Sequence, residues 1–376
     1  MLRMPETEDE RWMKKALKLA EQGRGYVSPN PMVGCVIVNK ENNQIGAGYH
    51  EKYGESHAEV NAVKTVKDKT ELIDATMYVT LEPCSHHGKT PPCAPMVADL
   101  PLKRVVIAAK DPNPKVDGKG IEIIKNAGIE VTVGVCEKEA NKLNEYFNYF
   151  MKFKKPFVTL KMAQTADGYI AAPDGSSQWI SGKLSRTFVH KWRSWNDAVL
   201  IGRNTALLDN PALTVRHVDG RQPYRIVLDG PGELPSDLNL FTDQYENKTL
   251  RVTSNRDLAV SSTDQMLQIL SNTDFKGETL FVSENEDGHV DLDELLKKLG
   301  ERNITSVLVE AGNMLASAMI KQNLVDKLEL FIAPKLLGGG TGSLLGLGID
   351  RMSEIIEMNN VHWQLVGDDM LLTAYL

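Results

Sequence analysis

The sequence predicts an α/β protein made of two domains. It has 376 residues, which is enough chain for two full hydrophobic cores. Short β-branched runs alternate with amphipathic stretches of helical period, which is typical of α/β folds. The alternation breaks at Phe153-Lys154-Lys155-Pro156, where a charged pair meets a proline. We therefore expect the first domain to cover residues 1–153 and the second to cover residues 154–376.

The composition argues against several classes of protein. A net charge of −7 provides no basic footprint for nucleic acid. Four cysteines in so long a chain do not make a disulfide framework, and Cys35 and Cys136 are expected to be buried thiols. No apolar run approaches the roughly 20 residues that span a membrane, and the acidic residues 1–10 do not resemble a signal peptide. These features favour a cytoplasmic protein.

Periodicity and turn residues define the elements of the first domain. In chain order, the pattern predicts a helix at 9–22, strands at 33–38 and 44–50, a helix starting at 57, a strand at 76–81, a helix at 94–98, a strand at 103–109, a helix after Gly120, a strand at 129–133 and a helix at 137–150. The segments Pro83-Cys84 and Lys110-Asp111-Pro112-Asn113-Pro114 both follow predicted strands. Because α/β sheets place their sites at strand carboxyl ends, we expect these two segments to share a pocket.

The second domain repeats the alternation of strands and helices. The pattern predicts strands at 158–163, 198–201, 225–228, 249–253, 266–270, 279–282, 306–310 and 326–333 and two more near Trp363 and Met370, with helices at 183–195, 292–299 and 314–321. No Gly-x-Gly-x-x-Gly follows the first strand, so a Rossmann fingerprint is absent. Gly312 at a strand–helix junction and the cluster at 338–342 offer backbone N–H groups to a phosphate. Either feature is also compatible with a simple turn.

One histidine and two cysteines in the first domain have the spacing of zinc ligands. His57-Ala58-Glu59 is followed by Pro83-Cys84 and by Cys93. Three protein ligands leave a fourth position for water, as in catalytic zinc sites. Glu59 lies two residues after the histidine and can move a proton from that water to a leaving amine. This combination is the signature of zinc deaminases that act on nucleobase-like rings.

The spacing between the two cysteines differs from that signature, which has Cys-x-x-Cys. Eight residues separate Cys84 from Cys93, among them His86, His87, Lys89 and Thr90. A polar, partly cationic insert beside a metal is suited to a phosphate, and Lys89 would bind one as a point charge. The alternatives are buried core thiols, a core histidine, a structural zinc and a solvated loop lysine. Asn30, between two prolines, is either a contact for a ring or a turn residue.

Taken together, the motifs resemble a family of bifunctional riboflavin-biosynthesis enzymes in which a pyrimidine deaminase is fused to a 5-amino-6-(5-phosphoribosylamino)uracil reductase. In the first half they are Asn30-Pro31-Met32-Val33-Gly34, His57-Ala58-Glu59, Val79-Thr80-Leu81-Glu82-Pro83-Cys84-Ser85-His86, Gly88-Lys89-Thr90-Pro91-Pro92-Cys93 and Asp111-Pro112-Asn113-Pro114. In the second half they are Leu160-Lys161, Asp167-Gly168, Ser177-Gln178-Trp179-Ile180, Asp209-Asn210-Pro211, Leu213-Thr214, Val309-Glu310-Ala311-Gly312 and Ala333-Pro334-Lys335. The resemblance covers nearly the whole chain.

The resemblance implies a cytidine-deaminase-like three-layer α/β/α domain followed by a dihydrofolate-reductase-like α/β domain. It implies one Zn²⁺ on His57, Cys84 and Cys93, proton transfer by Glu59, and NADPH in the second domain. The matching deaminase substrate contacts are Asn30, His50, His86, Lys89, Asp111 and Asn113. The matching NADPH contacts are Ala163, Trp179, Thr205, Asp209, Gly312, Asn313, Met314 and Leu315, and the matching reductase substrate contacts are Ser177, Arg193, Asp209, Leu213, Arg216 and Glu310.

The implied reaction sequence is hydrolytic deamination of a phosphoribosylated diaminopyrimidine, then reduction of its ribosyl group to ribityl. Arg193 and Arg216 are suited to a phosphate, although each alone also fits a surface charge. Gly230 stands where the family often has Ser or Thr, so a side-chain contact to the cofactor is lost there. The alternatives are a nucleoside or nucleic-acid deaminase with an accessory domain, and a non-catalytic zinc protein. We expect small phosphorylated substrates, no nucleic acid and no membrane, with a homo-oligomer left open.

Overall fold

The computed structural model of the protein describes residues 5–113, 116–254 and 276–376. Backbone contacts divide the chain into two units, Met1–Lys154 and Lys155–Leu376, and each unit builds its own sheet. The strand predicted at 266–270 lies outside the described residues. None of the described helices combines the length and the apolar character that a bilayer crossing requires.

The first unit is organised around a five-stranded sheet. Its strands are β1 (Gly34–Val38), β2 (Gln44–Tyr49), β3 (Thr76–Leu81), β4 (Arg104–Ala109) and β5 (Glu130–Val133), and its helices are α1 (Glu8–Ala20), α2 (Ala58–Thr65), α3 (Cys93–Ala98), α4 (Lys119–Asn126), α5 (Glu137–Leu143) and α6 (Glu145–Phe153). The strand order is β2-β1-β3-β4-β5. Strands β3, β4 and β5 are parallel, while β1 is antiparallel to both its neighbours. The carboxyl ends of β3 and β4 therefore meet at one edge.

Helices cover both faces of this sheet. Successive residues of a strand point to opposite faces. Thus Ile37 packs with Ala62 of α2 on one face, while Val36 packs with Trp12 of α1 on the other. Both cores are buried, and the predicted three-layer α/β/α architecture is confirmed.

One predicted helix of the first unit was wrong in extent. The pattern favoured a single helix over 137–150, but the chain breaks at Asn144 into α5 and α6. The buried Asn144 side chain accepts a hydrogen bond from the Met32 N–H at 2.8 Å and donates to the Met32 carbonyl at 2.9 Å. This pairing clamps the segment next to Asn30, and its partner is 112 positions away, beyond the reach of a local pattern.

The second unit contains a nine-stranded sheet in its described residues. Its strands, together with those of a small two-stranded sheet, are β6 (Phe157–Thr165), β7 (Tyr169–Ala171), β8 (Ala198–Ile201), β9 (Tyr224–Leu228), β10 (Thr249–Ser254), β11 (Glu278–Val282), β12 (Ser306–Glu310), β13 (Lys327–Ala333), β14 (Thr341–Gly342), β15 (Asn359–Val366) and β16 (Asp369–Tyr375). The helices are α7 (Lys183–Trp195), α8 (Arg203–Asp209), α9 (Asn239–Thr242), α10 (Leu292–Glu301) and α11 (Asn313–Lys321).

The strand order is β11-β10-β9-β8-β12-β6-β13-β16-β15. The run from β11 to β13 is parallel, and β16 and β15 continue it as antiparallel strands. Buried residues such as Leu200 and Val199 of β8 belong to cores on opposite faces. The sequence pattern missed α8, because it predicted a strand at 198–201 and no helix directly after it. Gly202 instead caps a helix that ends at Asp209.

Candidate active sites

The three predicted zinc ligands of the first unit come from three neighbouring element ends. His57 is the residue that caps α2, Cys84 follows β3, and Cys93 is the first residue of α3. The Ala94 N–H donates to the Cys84 carbonyl at 3.0 Å, which ties the start of α3 to the segment after β3. Helix starts favour anionic groups, so a thiolate at this position is stabilised by the local backbone.

The ligand atoms of these residues converge on one point. His57 Nδ1 lies 3.5 Å from Cys84 Sγ and 3.4 Å from Cys93 Sγ. All three ligand atoms lie within 4.8 Å of one another. One imidazole and two sulfurs form a donor set that fits Zn²⁺ with one position left for water. The Cys93 N–H also donates to Cys84 Sγ at 3.3 Å.

Burial and hydrogen bonding shift the pKa values of this cluster. The Cys93 thiol donates to Cys84 and lowers the pKa of Cys84 to about 4, and His57 acts in the same direction. The shared proton raises the pKa of Cys93. Burial raises the pKa of the Glu59 carboxyl to about 7, and the negative Cys84 sulfur adds to the shift. A carboxyl group in this range can both accept and release a proton near neutral pH.

Asn30 and His50 lie beside the cluster. The Asn30 side-chain amide is 3.2 Å from His50 Nε2, and His50 Nδ1 is 3.1 Å from the Ser56 carbonyl. The His50 ring meets the His57 ring edge-on, with 5.2 Å between their centroids. Burial lowers the pKa of His50, so the ring is neutral near pH 7. With its amide N–H₂ directed at His50, Asn30 keeps its oxygen as an acceptor for a ring N–H.

Asp111 and Asn113 follow β4, as the sequence predicts for the neighbouring strand end. The Asn113 N–H donates to Asp111 Oδ1 at 2.8 Å. Burial raises the pKa of the Asp111 carboxyl to about 6, although this hydrogen bond opposes the shift. Asp111 is 7% exposed, so its carboxyl is largely removed from bulk water.

Glu82 is a residue whose role the sequence analysis missed. Its buried carboxylate accepts hydrogen bonds from four backbone N–H groups, those of Asp111 at 3.4 Å, Gly118 at 3.1 Å, Gly120 at 3.0 Å and Ile121 at 3.3 Å. A methyl group on Gly120 would lie 2.0 Å from the Pro83 carbonyl, so only glycine permits this approach. Glu82 thus fixes the start of α4 and the Asp111 loop against the Cys84 segment. A carboxylate directly before a Pro-Cys ligand motif was the available signal.

The polar residues of the insert between Cys84 and Cys93 lie in three different environments. Within the described residues, the buried Nδ1 of His86 has no hydrogen-bond partner. Lys89 is exposed, and its Nζ lies 4.2 Å from the centre of the Tyr53 ring. Thr90 points the other way, with Oγ1 3.2 Å from His57 Nε2.

The second unit brings Arg193 and Glu310 together in a bidentate ion pair. Arg193 Nε is 2.6 Å and Nη2 is 2.9 Å from the two Glu310 carboxylate oxygens, while Nη1 donates to the Thr214 carbonyl at 3.2 Å. The two side chains are 11% and 13% exposed. Burial alone would raise the pKa of Glu310, but the charge and hydrogen bonds of Arg193, together with the nearby Lys161 charge, more than offset burial and the pKa is lowered. Arg193 therefore already holds a carboxylate, which argues against its expected role as a free phosphate ligand.

Arg216 and Leu213 lie in the loop after α8, next to this pair. Arg216 Nη1 donates to Thr214 Oγ1 at 2.8 Å, and its backbone N–H donates to His190 Nδ1 at 3.1 Å. The Leu213 side chain is 2% exposed and packs in the core with Ile201, so its contact with any substrate must come from its backbone. Arg216 keeps guanidinium N–H groups that an anion can use.

Several of the predicted cofactor contacts lie at the carboxyl ends of β8 and β12, which are parallel neighbours. Gly202 caps α8 and Gly312 caps α11, so two helices begin side by side. A methyl group on Gly312 would lie 3.9 Å from Thr205 Oγ1, and one on Gly202 would lie 3.8 Å from Leu315 Cδ2. Backbone N–H groups at helix starts fit the phosphates of a dinucleotide. The Asn313–Leu315 turn therefore belongs to a surface suited to NADPH.

The remaining predicted residues occupy other positions. Ala163 lies in β6 opposite Phe331, and Asp209 is the last residue of α8. Ser177 and Trp179 lie before α7, where Trp179 is 63% exposed and has the Arg186 guanidinium 4.4 Å from its ring centre. Lys335 Nζ donates to the Trp179 carbonyl at 2.7 Å.

The glycine cluster at 338–342 does not behave as the predicted phosphate nest. The Asp167 carboxylate accepts the Leu337 N–H at 3.0 Å and the Gly338 N–H at 2.7 Å. A methyl group on Gly340 would lie 2.2 Å from the Ala171 carbonyl, so glycine is required where β14 pairs with β7. The Asp167 carboxylate thus already takes the first N–H of the cluster that was predicted to bind a phosphate.

Two family descriptions match the chain. Residues 6–109 match the "cytidine and deoxycytidylate deaminase zinc-binding region", which contains His57, Cys84 and Cys93. Residues 156–372 match the "RibD C-terminal domain". The second match identifies the second half as a RibD-type domain, which argues against the alternative of an accessory domain.

Several relatives match nearly end to end. The riboflavin biosynthesis protein RibD of Aquifex aeolicus is 41% identical over 97% of both chains, and that of Escherichia coli is 38% identical over 97% of this chain and 98% of its own. The solved deaminase/reductase of Thermotoga maritima superposes with a TM-score of 0.84 at 36% identity, covering 98% of each chain. With both halves matched and such relatives covered almost completely, the chain belongs to the RibD family of bifunctional deaminase–reductases of riboflavin biosynthesis.

Proposed function

We propose that the first unit deaminates 2,5-diamino-6-(5-phosphoribosylamino)pyrimidin-4(3H)-one to 5-amino-6-(5-phosphoribosylamino)uracil. The second unit would then reduce the ribosyl group of that product to ribityl with NADPH. The observation that carries the first step is the convergence of His57 Nδ1 on two cysteine sulfurs beside the buried Glu59. The Thermotoga maritima relative is a deaminase and reductase of these compounds, which supports the same pair of substrates here.

His57, Cys84 and Cys93 would hold the Zn²⁺ of the deaminase. Their donor set and the hydrogen bond from the Cys93 N–H to Cys84 Sγ support a site that stabilises thiolate ligands. Bound zinc supplies Lewis-acid activation of the attacking water. Everything else in the reaction falls to the protein: it must orient the ring, exclude bulk water and move two protons.

Glu59 would move those protons. Glu59 is the second residue of α2 and is 3% exposed. Its side chain hydrogen-bonds with the Cys93 side chain, so its carboxylate faces the ligand cluster. The carboxylate takes a proton from the attacking water and delivers it to a ring nitrogen. A second proton then goes from the tetrahedral adduct to the leaving amine, which departs as ammonia, and the carbonyl forms.

Substrate orientation would come from Asn30, His50, His86, Asp111 and Asn113, and phosphate binding from Lys89. The buried, unpartnered His86 Nδ1 supports a polar ligand contact at this point. Among the described residues, the Lys89 ammonium contacts the face of Tyr53, a weak contact that an anionic phosphate would outcompete.

In the second unit, bound NADPH supplies the hydride. The start of α11 at Gly312 and the adjacent Thr205 would hold the cofactor, together with Ala163, Trp179, Asp209 and residues 313–315. Glu310 would contact the substrate as a carboxylate whose direction is set by the two-point bond from Arg193. Arg216, Ser177, Asp209 and the Leu213 backbone would complete the substrate side, with Arg216 as the phosphate ligand.

We further propose a cytoplasmic enzyme for small phosphorylated pyrimidines that does not bind nucleic acid. The functional boundary would lie at residues 153–154. A homo-oligomer is supported by one face of the edge strand β15, where Val361, Trp363 and Leu365 are 46%, 50% and 72% exposed. Light scattering of Trp363→Asp would test it, since a monomer should replace the assembly.

The direct test of the two reactions follows both products in one sample. The full chain is given the diaminopyrimidine phosphate, and ammonia release and NADPH oxidation are recorded separately. We expect ammonia without NADPH, and NADPH oxidation only after ammonia has formed. No ammonia release by zinc-loaded protein would refute the proposed substrate. Cys84→Ser should lose zinc and ammonia release together but keep NADPH oxidation with the deaminated substrate.

A further inference from the structure

The two nitrogens of the His57 ring face different partners. Nδ1 lies 3.5 Å from Cys84 Sγ and 3.4 Å from Cys93 Sγ, whereas Nε2 lies 3.2 Å from Thr90 Oγ1. The chain therefore presents Nδ1 to the metal position and turns Nε2 into the insert. Thr90 belongs to that insert, and it is partly buried while the adjacent Lys89 is exposed.

The chemistry of a metal-bound histidine decides which atom donates in the contact between His57 Nε2 and Thr90 Oγ1. A neutral imidazole that offers one nitrogen to a metal carries its proton on the other. A group that accepts that second N–H fixes the tautomer and the ring orientation, and loss of such a group typically lowers metal affinity. The Thr90 hydroxyl oxygen is placed to accept the Nε2–H bond.

Two further contacts fix the positions of Thr90 and of the His57 ring. The Gly88 N–H donates to the Thr90 carbonyl at 3.3 Å, which closes the insert into a turn. The His50 ring packs edge-on against the His57 ring at 5.2 Å. With packing from His50 and a hydrogen bond to Thr90, the imidazole has restricted freedom to rotate about its side-chain bonds.

We propose that Thr90 is a positioning residue of the zinc site, which selects Nδ1 of His57 as the ligand atom by accepting the Nε2–H bond. The proposal rests on the proposed function in one respect, the assignment of His57, Cys84 and Cys93 as zinc ligands. It also gives the long insert a second role: one residue reaches outward for the substrate phosphate, and the next reaches inward to the ligand.

The test compares three full-length variants by zinc affinity, measured as competition with a chromophoric chelator. Thr90→Val keeps the shape and removes the acceptor, Thr90→Ser keeps the hydroxyl, and Thr76→Val makes the same chemical change at the far end of β3. We expect zinc to bind Thr90→Val about 10- to 100-fold more weakly than the parent, as for other partners of metal-bound histidines. Thr90→Ser and Thr76→Val should stay within about threefold.

A second readout reports the tautomer directly. In the zinc-loaded parent, ¹⁵N NMR of labelled histidine should show His57 protonated on Nε2 alone, with the proton signal shifted downfield by the hydrogen bond. Thr90→Val should lose that shift, and Thr90→Ser should keep it.

The outcomes separate two failures. If the parent binds no zinc, or if Cys84→Ser binds it as tightly as the parent, the proposed function fails at the metal site. If the parent binds zinc and Thr90→Val binds it equally well, the positioning role of Thr90 is overturned and the proposed function stands. Should Thr90→Val unfold, Thr90→Ala and the NMR shift of Thr90→Ser decide the question.

Discussion

The two sites of this chain are assembled in opposite ways. The proposed zinc ligands lie between residues 57 and 93, each at the end of an element next to the others along the chain. The proposed reductase site draws on residues from 163 to 315, and the ion pair among them joins Arg193 to Glu310 across 117 positions. In the first site, the spacing of the motif along the chain brings the ligand atoms together. In the second site, residues distant in sequence come together only because of the order of the strands in the sheet.

The comparison teaches where each site is vulnerable. In the first, one side chain supplies each chemical role, so single substitutions should remove one function cleanly. In the second, Glu310 depends on Arg193, and Arg193 depends in turn on the Thr214 carbonyl. A substitution there should change stability and activity together.

Glu59→Gln should have the largest effect on turnover. Glutamine keeps the size of the side chain but cannot carry a proton, and general acid–base groups contribute roughly 10²–10⁴-fold to rate. Deaminase kcat should fall by that factor, while zinc content and NADPH oxidation with the deaminated substrate stay at parental levels. Steady-state ammonia release measures the effect, and a loss below about tenfold would remove Glu59 from the proton path.

Arg193→Met should damage the second unit in both respects. It leaves the largely buried Glu310 carboxylate without its partner, which costs roughly 3–5 kcal/mol in the free energy of unfolding. Urea denaturation followed by tryptophan fluorescence measures this loss, and reductase KM should rise in parallel.

The matched control is Lys297→Met in the same unit. Lys297 pairs with Asp293 on an exposed helix face, with side chains 60% and 37% exposed. Such pairs contribute about 0.3–0.5 kcal/mol. Equal destabilisation by the two substitutions would contradict the positioning role assigned to Arg193.

Lys89→Ala should have an intermediate effect confined to the deaminase. A charge-assisted hydrogen bond contributes roughly 1.5–3 kcal/mol. We therefore expect kcat/KM to fall on the order of ten- to a hundredfold, mainly through KM, with zinc content unchanged. Tyr53→Leu removes only the ring under Lys89 and should change KM far less. Parental kinetics in Lys89→Ala would return this lysine to the solvated surface.

Separating the two units should have the smallest effect. A fragment covering residues 155–376 is expected to fold and to oxidise NADPH with the deaminated substrate at a kcat/KM within about threefold of the full chain. The reason is that every reductase contact described above lies within that unit. A folded fragment without turnover would show that the reductase site takes residues from the first unit or from another subunit.

Much of this structure could be predicted from local sequence. Strands 76–81, 198–201 and 306–310 were predicted with their correct bounds, because buried β-branched runs between turn residues have few other conformations available. The convergence of the three candidate zinc ligands could be predicted for a related reason. His57, Cys84 and Cys93 sit at element ends that the chain order already places at one edge of the sheet.

The remaining features depend on partners that are distant in sequence. Asn144 breaks a helix and bonds to the backbone of Met32. The Glu82 carboxylate accepts the Gly120 N–H at the start of α4, and the Asp167 carboxylate accepts the Gly338 N–H. Asn144 and Glu82 are buried polar groups, and their burial is tolerated because remote partners satisfy them. The sequence alone therefore determined which residues can do the chemistry. The tertiary structure decided which polar groups are already paired, such as Arg193, and which have no partner among the described residues, such as Nδ1 of His86.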